Sequence, residues 1–304
     1  MRVVVIGANG QLGSDVSLAF SAAGDTVAGF THAVIEVSEL ESVADVLRHL
    51  CPHVIVNTAA MHSVEQCEQD PAKAYAVNAI GARNLAQIAN QLNALLIHVS
   101  TDYVFDGFKR APYQEDDVPL PLSVYGNTKL AGEHFVRSLG TRHQVLRTSG
   151  LYGKHPCRAK GGLNFVELML KLAREKGRVR VVDDEFVTPT FTAELAEQIV
   201  TLSRSDCNGL FHATAEGSCS WFEFARQVFS LTGTQADLEV AFPGEFPAKV
   251  PRPKYSVLEN RALKDRGLNR FRPWQDGLRR YLDLREGVVA LGSPMSRTLE
   301  NPER

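Results

Sequence analysis

The sequence predicts an α/β protein built on a doubly wound parallel sheet, and three observations carry that prediction. Short runs that are apolar at every position alternate with longer stretches of helical periodicity. A glycine-rich turn follows the first of these runs, and the regular alternation fades near Gly150, where a smaller C-terminal α/β region begins. Strands that are apolar throughout are buried on both faces, as in a parallel sheet covered by helices. Right-handed crossovers then wind such a sheet in both directions.

The elements follow in order. Val3 to Ile6 is a β-branched strand, and Leu12 to Ala22 a helix after the glycine turn. Thr26 to Phe30, Val54 to Val56, Leu95 to Val99 and Val145 to Arg147 read as further strands. Helices are expected at Val43 to Leu50, at Ala74 to Leu92 behind Pro71, and from near Ser123 to Leu139. Beyond Gly150, Phe165 to Glu175, Phe191 to Leu202 and Trp221 to Leu231 are helical, and Val179 to Val182 is a short strand. Lys154 to Gly162 and the proline-rich stretch Pro243 to Pro253 read as loops, and the polar residues 291–304 as a flexible tail.

With 304 residues and 44% hydrophobic side chains, the chain has ample material for a core. Its 33 basic and 35 acidic groups leave a net charge of −2, which excludes a general nucleic-acid or anionic-membrane binder. The five cysteines, odd in number and without a C-x-x-C pair, point to reduced thiols and a cytoplasmic protein. No apolar run approaches the ~20 residues of a membrane span. No metal site is expected, the acidic run Glu115-Asp116-Asp117 reading as a solvated loop.

Two motifs carry chemistry. Gly7-Ala8-Asn9-Gly10-Gln11-Leu12-Gly13 fits G-x-x-G-x-x-G at a strand–helix junction, a Rossmann-type fingerprint in which a helix N-terminus meets a pyrophosphate. The second strand ends Gly29-Phe30-Thr31-His32 with no carboxylate to repel a 2′-phosphate, which favours NADPH, with NADH the alternative. His32 is the candidate contact there. Tyr125-Gly126-Asn127-Thr128-Lys129 is Y-x-x-x-K, whose phenol and ammonium share one helical face. A nearby cation lowers a phenol pKa and makes it a better acid at neutral pH.

With these blocks the chain resembles the extended short-chain dehydrogenase/reductases, and within them the dTDP-4-dehydrorhamnose reductase family. The resemblance also rests on Asn57-Thr58-Ala59-Ala60, Val77-Asn78-Ala79, Ser100-Thr101-Asp102-Tyr103-Val104-Phe105-Asp106-Gly107, Arg147-Thr148-Ser149, Asn164-Phe165, Val181-Val182-Asp183-Asp184 and Arg252-Pro253. It runs from Met1 to about Leu284. It implies a dinucleotide-binding domain over residues 1–150, to which segments near 179–215 return, and a mainly substrate-binding region over 151–290.

The same resemblance implies the roles. Thr101, Tyr125 and Lys129 would be catalytic, Tyr125 protonating a sugar ketone while a nicotinamide delivers hydride. Gly7, Asn9, Gly10, Gln11, Leu12, Gly13, His32, Glu36, Val37, Ala59, Ala60, Met61, Asn78, Ser100, Tyr125 and Lys129 would line the cofactor. Thr101, Asp102, Tyr103, Gly150, Asn164, Phe165 and Arg252 would line the substrate. Gly150 replaces the family's tryptophan, which widens the expected pocket, and Glu185 and Val187 replace a usual Gln and Gly. Trp221 reads as part of a core stripe with Phe224, Ala225 and Val228. The implied activity is NADPH-dependent reduction of a nucleotide-linked 4-keto-6-deoxy sugar, by a protein for which a homodimer is one open assembly. The alternatives are another nucleotide sugar, or a non-catalytic NADP-binding subunit similar to the regulatory subunit of methionine adenosyltransferase.

Overall fold

The computed structural model describes residues 1–157, 161–242, 244–246 and 248–287. The expected tail, residues 158–160 of the 154–162 loop, and Pro243 and Pro247 lie outside them. The first half runs β1 (Arg2–Ile6), α1 (Gln11–Ala22), β2 (Thr26–Phe30), α2 (Leu40–Leu50), β3 (Val54–Asn57), α3 (Val64–Gln69), α4 (Pro71–Tyr75), α5 (Gly81–Gln91), β4 (Leu95–Thr101), α6 (Val124–Leu139) and β5 (His143–Thr148). The second half runs β6 (Leu151–Tyr152), α7 (Phe165–Lys176), β7 (Arg178–Val181), β8 (Phe186–Val187), β9 (Thr190–Phe191), α8 (Thr192–Ser203), β10 (Gly209–His212), β11 (Cys219–Ser220), α9 (Trp221–Thr232), β12 (Asp237–Val240), α10 (Arg261–Asp265) and α11 (Trp274–Arg285).

Six parallel strands form the main sheet in the order β2-β1-β3-β4-β5-β10. Alternate residues of each strand feed two different cores, which is why the runs are apolar at every position. Val3, Val5, Val54, Val56 and Ile97 pack with Val16, Phe20, Leu195 and Ile199 on one face. Val4, Ile6, Ile55, Leu96 and Val145 pack with Val43, Leu47, Leu85 and Val136 on the other. The winding reverses between β1 and β3, and ligands of such sheets bind beyond the strand ends at that switch point.

A third core holds the C-terminal lobe, where α7, α9 and α11 bury Val166, Leu170, Phe224, Val228, Trp274 and Leu278. Three two-stranded ribbons (β6·β9, β8·β11 and β7·β12) stitch this lobe together.

Three details differ from the sequence reading. The helix expected from Ala74 to Leu92 is interrupted by a π-helical turn over Ala76–Ile80, a feature that often marks a functional site. Phe191 is not the first helical residue but pairs with Tyr152 across β6·β9. The sequence reading has no counterpart of β10, α11 and several short elements, among them α3, α10 and β12.

Candidate active site

The chain leaves β1 at Gly7, whose φ of +82° only glycine adopts readily. A Cβ on Gly13 would lie 2.2 Å from the Gly7 carbonyl oxygen, so a bare Cα there lets α1 close onto the loop. Gly10 caps α1 without a side-chain hydrogen bond, leaving the positive end of the helix to an anion. The glycine cradle therefore fits the diphosphate of a dinucleotide. Asn9 is exposed at its rim, whereas Leu12 is buried beneath it. The Gln11 amide donates to the carbonyls of Gly153 (3.4 Å) and His155 (3.1 Å), joining the cradle to the loop after β6.

At the end of β2, His32 is exposed. The Glu36 carboxylate accepts from the backbone (3.2 Å) and hydroxyl (2.8 Å) of Ser38, and Val37 is buried in the sheet's second core. Ala59, Ala60 and Met61 are half-buried beyond β3. Asn78, in the π-helical turn, accepts from Met61 N–H and donates to Met61 C=O (both 2.9 Å), and it donates to Thr128 Oγ1 at 2.9 Å. Its amide thus braces the loop after β3 against α6.

Ser123 caps α6 by accepting from Gly126 N–H, which sets Tyr125 and Lys129 on its inward face. Tyr125 lies edge-on to Tyr103, with ring centroids 5.9 Å apart, and the Thr101 hydroxyl reaches its phenol. Thr101 donates to Asp102 Oδ1 at 3.0 Å, and Ser149 donates to Asp102 Oδ2 at 2.8 Å. Burial holds the Asp102 carboxyl above its usual range despite these donors.

The electrostatics of Tyr125 and Lys129 are set first by burial. Burial pushes the Tyr125 phenol up, Thr101 opposes it, and Asp102 and Cys67 add to the rise. Lys129 is buried, donating to Val99 C=O at 2.7 Å with Nζ 3.4 Å from His98 Nε2. Its own pKa falls to about 8 through burial, against the opposing pull of Glu133.

Beneath these residues, Ser100 donates to Glu133 at 2.5 Å, and Arg147 grips the same carboxylate at 2.7 to 3.2 Å. Both members of this ion pair are buried, and Arg147 also lies over the Phe105 ring. The network ties β4, β5 and α6 into one frame. Neither Glu133 nor His98 was assigned a role from sequence. A charged residue within the apolar run Val145–Thr148, and a histidine within Leu95–Ser100, were the available signals.

Across the cleft, Asn164 caps α7 and donates to Gly153 C=O (2.8 Å) and Tyr281 Oη (3.1 Å), while Phe165 stacks on Phe224. Arg252 pairs with Glu65 of α3 at 2.7 Å, with Tyr103 and Glu185 nearby. Phe224, Ala225 and Val228 are buried as expected, but Trp221 is half-buried, and its indole hydrogen-bonds Glu185. Val187 is a buried strand residue.

Gly150 stands at a tight place in the backbone. Its φ is +58°, and a Cβ there would lie 2.8 Å from Thr188 C=O and 3.0 Å from Pro189 Cα. A side chain at this position starts against the backbone of residues 188–189, so the glycine reflects a close approach of two segments and not merely a missing indole. His49 and His53 stand four apart, but α2 ends between them and Cys51 is left-handed, so they share no helical face. Among the described residues no three His, Cys, Asp or Glu side chains are grouped to hold a metal ion, and no helix is long and apolar enough to cross a membrane.

Comparison with known proteins agrees with this geometry. The chain is 40% identical over 287 residues to the spore coat polysaccharide biosynthesis protein SpsK of Bacillus subtilis, covering 94% of this chain and 99% of the relative. It is 37% identical to a dTDP-4-keto-6-deoxy-D-glucose reductase of Streptomyces niveus, covering 91% of this chain and 95% of the relative. A dTDP-4-dehydrorhamnose reductase from Bacillus anthracis, solved in complex with NADP, superposes with a TM-score of 0.88 at 36% identity, covering 92% of this chain and 98% of that one. The family model described as RmlD substrate binding domain matches residues 1–286, and the chain belongs to that family.

Proposed function

We propose that this chain is an NADPH-dependent oxidoreductase that reduces the 4-keto group of a nucleotide-linked 6-deoxy sugar, dTDP-4-dehydro-L-rhamnose to dTDP-L-rhamnose. The observation that carries the reading is the meeting of Thr101 and Tyr125 at the end of β4, on the sheet edge that also bears the glycine cradle. Bound through Gly7, Gly10, Gly13 and the segment Ala59–Met61, NADPH supplies the hydride. Tyr125 gives its proton to the ketone oxygen. Burial keeps the phenol protonated past neutral pH, so Tyr125 stands in the acid form that reduction draws on. Thr101, whose one hydroxyl proton here goes to Asp102 Oδ1, would turn that proton to the same oxygen when the sugar is bound.

The test is loss of NADPH absorbance on adding the dTDP-4-keto sugar. Tyr125→Phe is expected to lower kcat/KM by about 10²- to 10⁴-fold while NADPH still binds. Full activity in that variant, or no turnover in the wild type, would refute the reading. A second reading, the same reduction on another nucleotide sugar, is favoured by Gly150 and Glu185 and by the likeness to a relative named for a different keto sugar; relative kcat/KM across a panel of dTDP-sugars decides between them. We place the enzyme in the cytoplasm, in keeping with five free cysteines, and take a homodimer as the assembly to be tested by light scattering.

A further inference from the structure

Trp221 takes no part in the reduction itself. The sequence places it in a core stripe, yet only its companions Phe224, Ala225 and Val228 are buried, while Trp221 is half-buried. Its ring leans on that core from outside, with the Phe165 centroid 4.6 Å away and the Phe224 centroid 6.3 Å away. The polar edge of the ring points elsewhere, its N–H donating to the Glu185 carboxylate. An indole with one side on a core and its N–H on a polar neighbour keeps its remaining surface for water or for a ligand.

Backbone pairing fixes that orientation. Ser220, the residue before it, pairs with Phe186 across β8·β11, and Phe222 N–H donates to Val182 C=O at 3.1 Å. The indole is thereby clamped beside residues 183–185. Glu185 in turn neighbours Arg252 and Tyr103, and the Tyr103 ring meets the Tyr125 ring at 5.9 Å. Glu65 of α3 holds the Arg252 guanidinium at 2.7 Å. Outward from the acid Tyr125, the cleft therefore offers Tyr103, the cation Arg252 with Glu185 beside it, and the ring of Trp221, each next to the one before.

A nucleotide sugar has the same order. With its ketone at Thr101 and Tyr125, the sugar ring comes first, the diphosphate second and the flat base last. A guanidinium suits the diphosphate, and an indole face suits the base, since stacking asks only for a flat π-surface. We propose that Trp221 is a specificity-determining residue, the stacking wall for the base of the nucleotide, and that Glu185 positions it by accepting the indole N–H. This rests on the reductase reading, which places the ketone and so the direction in which the rest of the substrate extends.

The test titrates the full chain with dTDP, which carries base and diphosphate but no sugar, and with NADPH as the control for the cofactor side. The chain has two tryptophans, and the other, Trp274, is buried in the C-terminal core. Binding of dTDP is expected to quench tryptophan emission in the wild type and to leave the emission of Trp221→Leu unmoved. Calorimetry should show Trp221→Leu binding dTDP about ten- to a hundredfold more weakly, with NADPH affinity within about twofold of wild type. Trp221→Phe, which keeps a flat ring, should recover most of the loss. Glu185→Leu should bind dTDP about two- to tenfold more weakly than Glu185→Gln, since both lack the charge and only Gln accepts the indole N–H. On the dTDP-4-keto sugar, Trp221→Leu should raise KM more than it lowers kcat.

Unchanged dTDP affinity in Trp221→Leu, or an equal loss of dTDP and NADPH affinity, would overturn the proposal. So would a raised KM for the keto sugar with dTDP binding intact, because the ring would then face the sugar. Should Trp221→Leu fail to fold, the wild-type quench and the comparison of the two Glu185 variants decide the question. Quenching by dTDP without any sugar turnover would overturn the reductase reading and leave the stacking wall standing; sugar turnover by a wild type whose emission dTDP leaves unmoved would overturn the wall alone.

Discussion

The two sides of the cleft are held by different means. On the cofactor side, six parallel strands share a continuous ladder, and the charged side chains beneath Thr101 and Tyr125 are sealed into one buried network of Ser100, Glu133 and Arg147. On the substrate side, two of the three ribbons are only two residues long per strand. Rings do much of the remaining holding: Tyr152, Phe165, Phe191, Phe224 and Tyr281 meet at centroid distances of 5.4 to 5.9 Å. One side is a rigid frame that leaves little freedom to the reacting groups. The other carries Gly150, Glu185 and Val187, where the sequence departs from the expected family pattern. On the proposed function, chemistry and specificity would then be separated in space.

If the frame is as interdependent as this, Glu133→Ala should show the largest effect. It leaves the Arg147 guanidinium buried and unpaired, which costs about 3–5 kcal/mol, and thermal unfolding should report the loss. A small change in Tm would mean that water reaches Arg147 and that the frame is looser than its geometry suggests.

Lys129→Met should move stability in the opposite direction. The folded pKa of about 8 lies below the ordinary 10.5, so charging the buried amine opposes folding fully below pH 8. That opposition is relieved as pH rises from 8 to 10.5. At pH 7 the variant should therefore unfold less readily, by up to about 3 kcal/mol, while losing activity. The gap to wild type should narrow across that pH window, and denaturant titrations at pH 7 and pH 10 would show it. A variant less stable than wild type at pH 7 would mean that the contacts of Lys129 outweigh its desolvation.

On the substrate side the expected change is smaller. Gly150→Trp places a non-glycine residue at a φ of +58° against the Thr188 carbonyl, which costs on the order of 1–3 kcal/mol of strain. Its more telling effect is on preference among dTDP-sugars, measured as relative kcat/KM, with the rate on the best sugar held within a few-fold. A collapse of rate on every sugar would show that the two sides are coupled after all.

Much of the frame was legible in the residues alone because its signals are local. A strand that is apolar at every position reports burial on two faces, a glycine triplet reports a close turn, and Tyr125 and Lys129 are four residues apart whatever surrounds them. What lay out of reach was contact between segments distant in the chain. Gly209–His212 became the sixth strand only because β5 offered it an edge, and Asn78 became a brace through the π-helical turn opposite Met61. Lys129 met His98 and Val99 of β4, partners about thirty positions earlier in the chain. Gly150 is left-handed and bare where residues 188–189, nearly forty positions later, pass so close that a Cβ would lie 2.8 Å from the Thr188 carbonyl. Backbone preference and hydrophobic period act over a few residues and can be read along the chain, whereas desolvation, ion pairing and close approach depend on which distant groups share a volume, and folding alone decides that.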